Sequence, residues 1–287
     1  MSDTKVKLVL PTGRMQEAVV SLLADAGVGI KVRPSDYRPT AGDGRLEVKM
    51  LKAANIAPLV QYAAHDVGFC GRDWVEETGA SVVTLLDTGL LPVRIVSAAP
   101  VGADPFAPGG RRLVVVASEY ERLARGYMES RNVAYRFVRT FGATEVFPPE
   151  DADLIVDNVA TGQTLANNGL VIVDEIMSSS TLMVANAEAL DDPVRGLIIR
   201  ELALLVQSVL DARTRVLLDM NVGAERLEAV VALLPAMKSP TVQPLVGEGA
   251  LAVRAAVPRA QVNRLLPALR AAGASDILQT EIQRLLP

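Results

Sequence analysis

The sequence predicts an α/β protein made of two small lobes and a C-terminal βαββαβ module. Its 287 residues, at roughly 150 residues per domain, correspond to about two domains. Buried-strand patterns alternate with helical patterns over residues 7–98 and again over 112–157, which is typical of sheets covered by helices. From about residue 214, the order strand, helix, strand, strand, helix, strand indicates a ferredoxin-like module.

The first lobe opens with a strand, a turn and a helix. Residues 7–10 form an apolar strand, Pro11 and Gly13 turn the chain, and helical spacing from Arg14 onward ends at Gly27, a residue suited to a helix C-terminus. The later elements are a helix over 56–64, a strand over 66–70, a helix opened by Gly71, Arg72 and Asp73, and strands near Val82 and over 94–98. This alternation predicts a mostly parallel sheet covered on both faces.

A second lobe follows residues 100–110, a segment rich in Pro, Gly and Ala that we interpret as the crossing between lobes. Its elements are strands over 112–117, 134–138 and 153–157 and a helix over 119–131. A long helix over 194–212 has one apolar stripe. The tail then has strands over 216–221, 241–246, 251–257 and 276–282 and helices over 225–234 and 259–272. We therefore expect a separate small sheet in each lobe.

Composition excludes several classes of function. Half of the residues are apolar and 22% are charged, which excludes wholesale disorder. The net charge of -4 argues against a general surface for nucleic acid or anionic membranes. One cysteine, Cys70, excludes an internal disulfide and a Cys-rich zinc site. Because the sequence has neither an apolar run of about 18 residues nor a secretory core, we expect a soluble, cytoplasmic protein.

The stretch around Asp157 carries most of the chemistry. A buried strand delivers Asp157 to its carboxyl end, where open α/β sheets bind ligands. The next loop, Thr161-Gly162-Gln163-Thr164, begins a short helix, and its glycine, hydroxyls and free amides favour an anion. This pattern predicts a monophosphate cradle, with Asp157 accepting hydrogen bonds from ribose hydroxyls. A simple helix cap is the alternative. The sequence contains neither a Walker motif nor a Gly-x-Gly-x-x-Gly fingerprint.

In this stretch the sequence resembles the ATP phosphoribosyltransferases, in their long form. Three further stretches agree: Gly13-Arg14, residues 66–73, and Ser239-Pro240-Thr241 with Gly273-Ala274. The resemblance covers almost the whole chain. It implies transfer of the phosphoribosyl group of phosphoribosyl pyrophosphate to N1 of ATP with release of pyrophosphate, the first step of histidine biosynthesis, with Mg²⁺ as cofactor.

The resemblance also implies an architecture. The two lobes would resemble periplasmic binding proteins, with the active site in the cleft. The first lobe would span 1–100, completed by 183–213, the second 101–182, and an ACT-like regulatory domain 214–287. That domain would bind histidine as feedback inhibitor through Asn221 and Thr241, although a dimerisation module without a ligand is an alternative. Relatives assemble into dimers or hexamers, so a homo-oligomer is implied.

Candidate site residues follow from the resemblance and from the reaction. Loss of pyrophosphate leaves positive charge on the sugar and negative charge on the leaving group, so electrostatic placement matters more than a strong base. Asp73 is also suited to cap its helix, and Arg94 to form a surface ion pair. The candidate catalytic residues are Arg14, Lys52, Arg72, Asp73 and Arg94. The candidate substrate contacts are Glu145, Asp157, Thr161, Gly162, Gln163, Thr164 and Leu165, and no metal ligand is assigned.

Departures from the family pattern leave other functions open. Thr12 stands where the family usually carries Lys, and Lys52 and Asn55 stand where it usually carries Arg and Asp. Lysine lacks the bidentate fork of arginine, so contacts to polyphosphate would weaken. A catalytically silent paralogue that binds a nucleotide or sugar phosphate is therefore an alternative. In the tail, Asn221 stands where some relatives carry an acid. A solute-binding protein shares the two-lobe pattern, but the tail argues against it.

Overall fold

The computed structural model describes residues 5–33, 36–107, 113–237, 239–246 and 249–287. The chain divides into two compact units, Met1–Ser21 with Gly29–Ala203, and Leu22–Val28 with Leu204–Pro287. The described part of the first unit contains two five-stranded sheets, and that of the second a four-stranded sheet. Within these ranges, no helix combines the length and the apolar character needed to cross a membrane.

The elements are numbered in chain order. The strands are β1 (Val6–Pro11), β2 (Ile30–Lys31), β3 (Thr40–Ala41), β4 (Leu46–Leu51), β5 (Val67–Gly71), β6 (Val83–Asp87), β7 (Val93–Pro100), β8 (Val114–Ser118), β9 (Tyr135–Arg139), β10 (Leu154–Val159), β11 (Leu170–Ser179), β12 (Thr181–Ala185), β13 (Arg215–Gly223), β14 (Thr241–Pro244), β15 (Ala250–Pro258) and β16 (Ala274–Glu281). The helices are α1 (Gln16–Asp25), α2 (Ile56–Gln61), α3 (Arg72–Thr78), α4 (Glu121–Ser130), α5 (Gln163–Asn167), α6 (Ala187–Asp191), α7 (Arg195–Arg213), α8 (Leu227–Leu233) and α9 (Val262–Ala271).

The first lobe is built on a sheet of order β4-β1-β5-β12-β6. β1 pairs in parallel with β4 and β5, whereas β12 pairs antiparallel with β5 and β6. β4, β1, β5 and β6 thus run in one direction, as predicted for a mostly parallel sheet, and only the late strand β12 enters this sheet in the opposite direction. β5 is buried along its whole length. Cys70 lies on it in the apolar core, where burial raises the pKa of the thiol to about 12.

The second lobe is built on a sheet of order β11-β7-β10-β8-β9. β8 pairs in parallel with β9 and β10, and β7 pairs antiparallel with β10 and β11. The predicted crossing at 100–110 is wrong, because β7 already hydrogen-bonds in the second sheet and the chain crosses between β6 and β7. Residues 108–112, which include part of that segment and the predicted start of β8, lie outside the described residues.

The tail forms an antiparallel sheet of order β14-β15-β13-β16 with helices α8 and α9. Alternate residues of β13 are buried and join a core with residues of both helices. This arrangement confirms the predicted ferredoxin-like βαββαβ module. The predicted long helix is α7.

Candidate active site

The strand β10 delivers Asp157 to the carboxyl end of the second sheet. The first three residues of β10 are fully buried between β7 and β8, while Asp157 is half-buried. After the strand, Gly162 adopts a φ of +81°, a conformation that other residues rarely accept, and α5 begins. Gly169, with a φ of +70°, follows the end of α5, as the sequence predicts.

A cavity of about 270 Å³ lies against this loop. Arg14 reaches it from the first lobe, where a 3-10 turn over Gly13–Met15 follows β1. The cavity thus combines residues of both lobes, with one cation and two carboxylates. It is lined by Arg14, Glu145, Asp157, Asn158, Val159, Ala160, Thr161, Gly162, Thr164 and Leu165.

The carboxylate of Asp157 is held at an electrostatic cost. Burial raises the pKa of Asp157 to about 6, the nearby charges of Glu145 and Glu119 raise it too, and a hydrogen bond from the backbone N–H of Asn158 to Oδ1 (2.7 Å) lowers it. A cation in this cavity would therefore be stabilised by both carboxylates.

The donor set is compatible with Mg²⁺ that arrives with a polyphosphate. Among the described residues, no group of three or more His, Cys, Asp and Glu side chains could hold a metal ion by itself. Glu145 and Asp157 line one cavity and supply hard carboxylate oxygens. Mg²⁺ is commonly held by one or two carboxylates together with substrate phosphates and water, so these two residues fit it.

A second cavity, of about 310 Å³, adjoins the first, because Arg14 and Asn158 line both. It contains the start of α3 from the first lobe, and Tyr120, which precedes α4 of the second. Its lining residues are Thr12, Arg14, Met15, Ala53, Gly71, Asp73, Trp74, Leu91, Val93, Tyr120, Asn158, Ser179, Ser180 and Thr181.

Asp73 is a buried carboxylate that binds partners from the second lobe. Its side chain accepts hydrogen bonds from the hydroxyl of Ser179 (2.6 Å) and from that of Tyr120 (2.7 Å). Its backbone N–H donates to the same serine oxygen (3.0 Å). The carboxylate therefore does not cap its own helix, which was the alternative role, because its two oxygens accept hydrogen bonds from Ser179 and Tyr120.

Tyr120 and Asn158 extend this network toward Asp157. The ring of Tyr120 stacks on Trp74, with centroids 4.7 Å apart. The side-chain amide of Asn158 donates to the Tyr120 hydroxyl (3.1 Å) and to Oδ1 of Asp157 (3.2 Å). Burial and the charge of Asp73 raise the pKa of Tyr120, so its hydroxyl stays protonated and donates to Asp73. Asp73 and Asp157 are thus connected through two neutral side chains.

Sequence reasoning missed Tyr120, Asn158 and Ser179. The hydrogen bonds of Asp73 span 47 residues to Tyr120 and 106 to Ser179, and no local pattern records such contacts. The one available signal was the position of Asn158 directly after Asp157.

A third cavity, of about 770 Å³, brings Lys52 and Asn55 beside Thr12, which also lines the second cavity. Arg33 and the exposed ring of Tyr37 line it too. The three departures from the family pattern therefore lie together at the edge of the site.

Several predicted residues lie outside these cavities or only touch them. Arg72 forms an ion pair with Asp87 (2.9 Å), and Arg94 forms one with Glu175 (3.3 Å). A surface ion pair was the alternative role predicted for Arg94. The side chain of Gln163 donates to that of Asn167 (2.8 Å). Leu165 touches the first cavity, but its side chain is buried in the apolar core of the second lobe.

In the tail, the predicted effector residues lie on different strands. Asn221 on β13 donates a side-chain hydrogen bond to Asp276 (3.0 Å), which also accepts one from Ser275. Thr241 is exposed on β14 and pairs with Arg254 of β15, the strand between β14 and β13. An acid is thus present beside Asn221, supplied by β16.

The two α/β lobes, with a cavity lined by residues of both and by two carboxylates beside the loop at Gly162, define the class of protein as a two-lobed α/β protein with a polar ligand-binding site. The family model described as ATP phosphoribosyltransferase (HisG) matches residues 52–208, and that of the HisG C-terminal domain matches residues 212–284. The chain belongs to the ATP phosphoribosyltransferase family and is a phosphoribosyltransferase.

Individual relatives are similar to this chain over almost its whole length and theirs. The ATP phosphoribosyltransferase of Chlorobium phaeovibrioides is 36% identical over 99% of this chain and 99% of its own. That of Pelotomaculum thermopropionicum is 35% identical over 99% of this chain and 100% of its own. A solved structure of the ATP phosphoribosyl transferase (HisG:HisZ) complex from Thermotoga maritima superposes with a TM-score of 0.62 at 27% identity, covering 70% of this chain and 98% of that one.

Proposed function

We propose that this chain is an active ATP phosphoribosyltransferase, which joins the phosphoribosyl group of phosphoribosyl pyrophosphate to N1 of ATP and releases pyrophosphate. The observation that carries the proposal is the first cavity, where Arg14, Glu145 and Asp157 meet the loop that begins at Thr161. The silent-paralogue alternative is not favoured, because relatives that carry the name of the enzyme match over 99% of the chain.

The sugar phosphate binds in the first cavity. The hydroxyls of Thr161 and Thr164 and the free amides of the loop bind the 5′-phosphate, and Gly162 allows it to approach the backbone. Asp157 and Glu145 accept hydrogen bonds from the ribose hydroxyls. α5 has only five residues, so the loop groups rather than a helix dipole supply the binding energy.

Displacement of pyrophosphate requires charge stabilisation on both sides of the breaking bond. Asp157 and Glu145 face the positive charge that develops on the ribose ring, and Arg14 faces the leaving pyrophosphate. Mg²⁺, when bound, neutralises the pyrophosphate oxygens, and the same two carboxylates are those that would hold it.

The nucleotide enters through the second and third cavities. The Asp73 carboxylate accepts hydrogen bonds from a base amino group, and the apolar and aromatic lining around Trp74 packs on the ring. Lys52, at the edge of the third cavity, binds the polyphosphate as a point charge. This assignment places N1 of the base beside the ribose carbon at the junction formed by Arg14 and Asn158.

The tail, over residues 214–287, acts as a histidine-binding regulatory domain in this proposal. Asp276 supplies the carboxylate for the effector's ammonium that residue 221 does not, and Thr241 supplies a hydroxyl. We also propose a cytoplasmic homo-oligomer. The Thermotoga maritima relative was solved as a HisG:HisZ complex, which supports assembly in this family.

The test is a turnover assay with ATP, Mg²⁺ and phosphoribosyl pyrophosphate, read as the near-ultraviolet absorbance of the product. The wild-type chain should turn over, and Thr161→Ala with Thr164→Ala should raise the KM for phosphoribosyl pyrophosphate by about 100-fold, as expected for two lost phosphate contacts. Thr84→Ala, an exposed threonine on β6, is the matched control. A wild-type chain that binds both substrates without turnover would contradict the proposal.

A further inference from the structure

Helix α4 of the second lobe begins without a capping side chain of its own. Tyr120 occupies the N-cap position, makes no side-chain cap, and directs its hydroxyl to Asp73. The first amides of a helix have no acceptor within the helix, and they attract carboxylates. Here the carboxylate of Glu77, from α3 of the first lobe, accepts hydrogen bonds from the backbone N–H groups of Arg122 (3.1 Å) and Leu123 (3.0 Å). One lobe therefore caps a helix of the other.

In return, a side chain of α4 lies at the C-terminal end of α3. α3 ends at Thr78 and is followed by Gly79, its C-cap residue, which has a φ of +61°. The guanidinium of Arg122 lies against this glycine. Cations are favourable near the carbonyl end of a helix. The positive φ favours glycine at this position, and a side chain here would also force the guanidinium of Arg122 to move away.

These contacts bear directly on the nucleotide end of the site. Glu77 follows Asp73 by four residues, so both side chains project from one face of α3. Asp73 accepts a hydrogen bond from the hydroxyl of Tyr120. Glu77 accepts hydrogen bonds from the first turn of α4, which begins directly after Tyr120. The stacked ring of Trp74 lies between these two attachments in the sequence. Glu77 itself is not among the residues that line the second cavity.

We propose that Glu77 is a positioning residue: by capping α4 from the first lobe, it holds Tyr120 against Asp73 and fixes the two lobes together at the nucleotide end of the cleft. This inference rests on the proposed function for the identity of the substrate. The effect of Glu77 on the stacking of Trp74 and Tyr120 does not depend on that identity. The side chain acts through Tyr120 and does not touch the nucleotide.

The test compares Glu77→Ala and Glu77→Gln with Glu76→Ala as the matched control. The control residue is exposed on the same helix, and its side chain makes no hydrogen bond or ion pair with the residues that the structure describes. Trp74 is the sole tryptophan of the chain, so its fluorescence reports the stack on Tyr120 directly. Circular dichroism checks that each variant is folded.

For Glu77→Ala we expect a changed Trp74 emission spectrum and a rise of about fivefold in the KM for ATP, as the loss of one cap predicts, with the KM for phosphoribosyl pyrophosphate unchanged. Glu77→Gln retains one acceptor oxygen and should give an intermediate effect on both readouts. The control should behave as wild type.

The inference is overturned if the Trp74 emission of folded Glu77→Ala equals that of wild type and of the control, or if both KM values rise equally. If Glu77→Ala does not fold, Glu77→Gln decides by the same two readouts. A wild-type chain without turnover would contradict the proposed function, while the fluorescence comparison would still decide the role of Glu77.

Discussion

The hydroxyl of Tyr120 donates a hydrogen bond to Oδ2 of Asp73 at 2.7 Å, joining the two lobes inside the cleft. Both residues are buried, with exposed fractions of 1% and 5%. A buried hydrogen bond to a charged group is among the stronger ones in proteins. The pair therefore connects the two lobes at the second cavity, where we propose that the nucleotide binds.

Replacement of Tyr120 by Phe should weaken both the fold and nucleotide binding. The change removes the donor to Asp73 and the acceptor of Asn158, and we expect a loss of about 2 kcal/mol in the free energy of unfolding, measured in urea. The KM for ATP should rise about tenfold, because the carboxylate is no longer held in place. Tyr62→Phe, at an exposed tyrosine, is the control, and equal behaviour of the two variants would refute this role.

Asp157→Asn should stabilise the protein while impairing turnover. The pKa of Asp157 is raised to about 6, so the ionised carboxylate costs free energy above that pH, and this cost disappears as pH falls through 6 toward the ordinary value near 4. We expect the variant to be more stable than wild type by about 2 kcal/mol at pH 8 and by almost nothing at pH 4. Urea unfolding at both pH values tests this, and a stability difference independent of pH would count against it.

The same pKa predicts an acidic limit for catalysis. In the proposed mechanism Asp157 acts as an ionised carboxylate, so kcat/KM for phosphoribosyl pyrophosphate should fall as the pH drops below about 6. The pH–rate profile of the wild-type chain measures this limit. A profile that stays flat down to pH 5 would show that Asp157 does not control this step.

The candidate arginines should separate into two groups. Arg14 lines both cleft cavities, whereas Arg72 and Arg94 are paired with Asp87 and Glu175. We expect Arg14→Ala to lower kcat/KM by about 100-fold, in keeping with the loss of a charge-assisted contact, and Arg72→Ala and Arg94→Ala to lower it by no more than about threefold. Steady-state kinetics of the three variants decides the matter, and a loss at Arg72 as large as that at Arg14 would contradict the assignment.

Removal of the Asp276 carboxylate should weaken inhibition by histidine. The side chain of Asn221 is neutral, so the negative charge for the effector's ammonium comes from the neighbouring Asp276 in our proposal. Asp276→Ala removes that charge. We expect the concentration for half-inhibition to rise at least tenfold, with uninhibited turnover unchanged, because the residue belongs to a separate compact unit. Glu228→Ala, at an exposed acid of α8, is the control. Wild-type activity unaffected by millimolar histidine would remove the regulatory proposal.

The local sequence pattern was sufficient to predict those elements whose burial or turn is determined by neighbouring residues. The buried run of β10, the short helix that begins after Gly162, and the long helix α7 are encoded by neighbouring residues, and each was found where it was expected. The order of elements in the tail module was equally readable. The family could be inferred because the residues that carry the resemblance, from Asp157 to Leu165, are continuous in sequence.

Tertiary structure alone decided which strands pair and which charges are free. β7 reads as an apolar strand of either lobe, and only its hydrogen bonds to β10 and β11 place it in the second. Arg14 and Arg72 look equivalent in sequence, yet Asp87 neutralises one and not the other. The physical reason is that side-chain periodicity records which face of an element is buried, whereas the identity of its partners depends on contacts that close over tens to hundreds of residues.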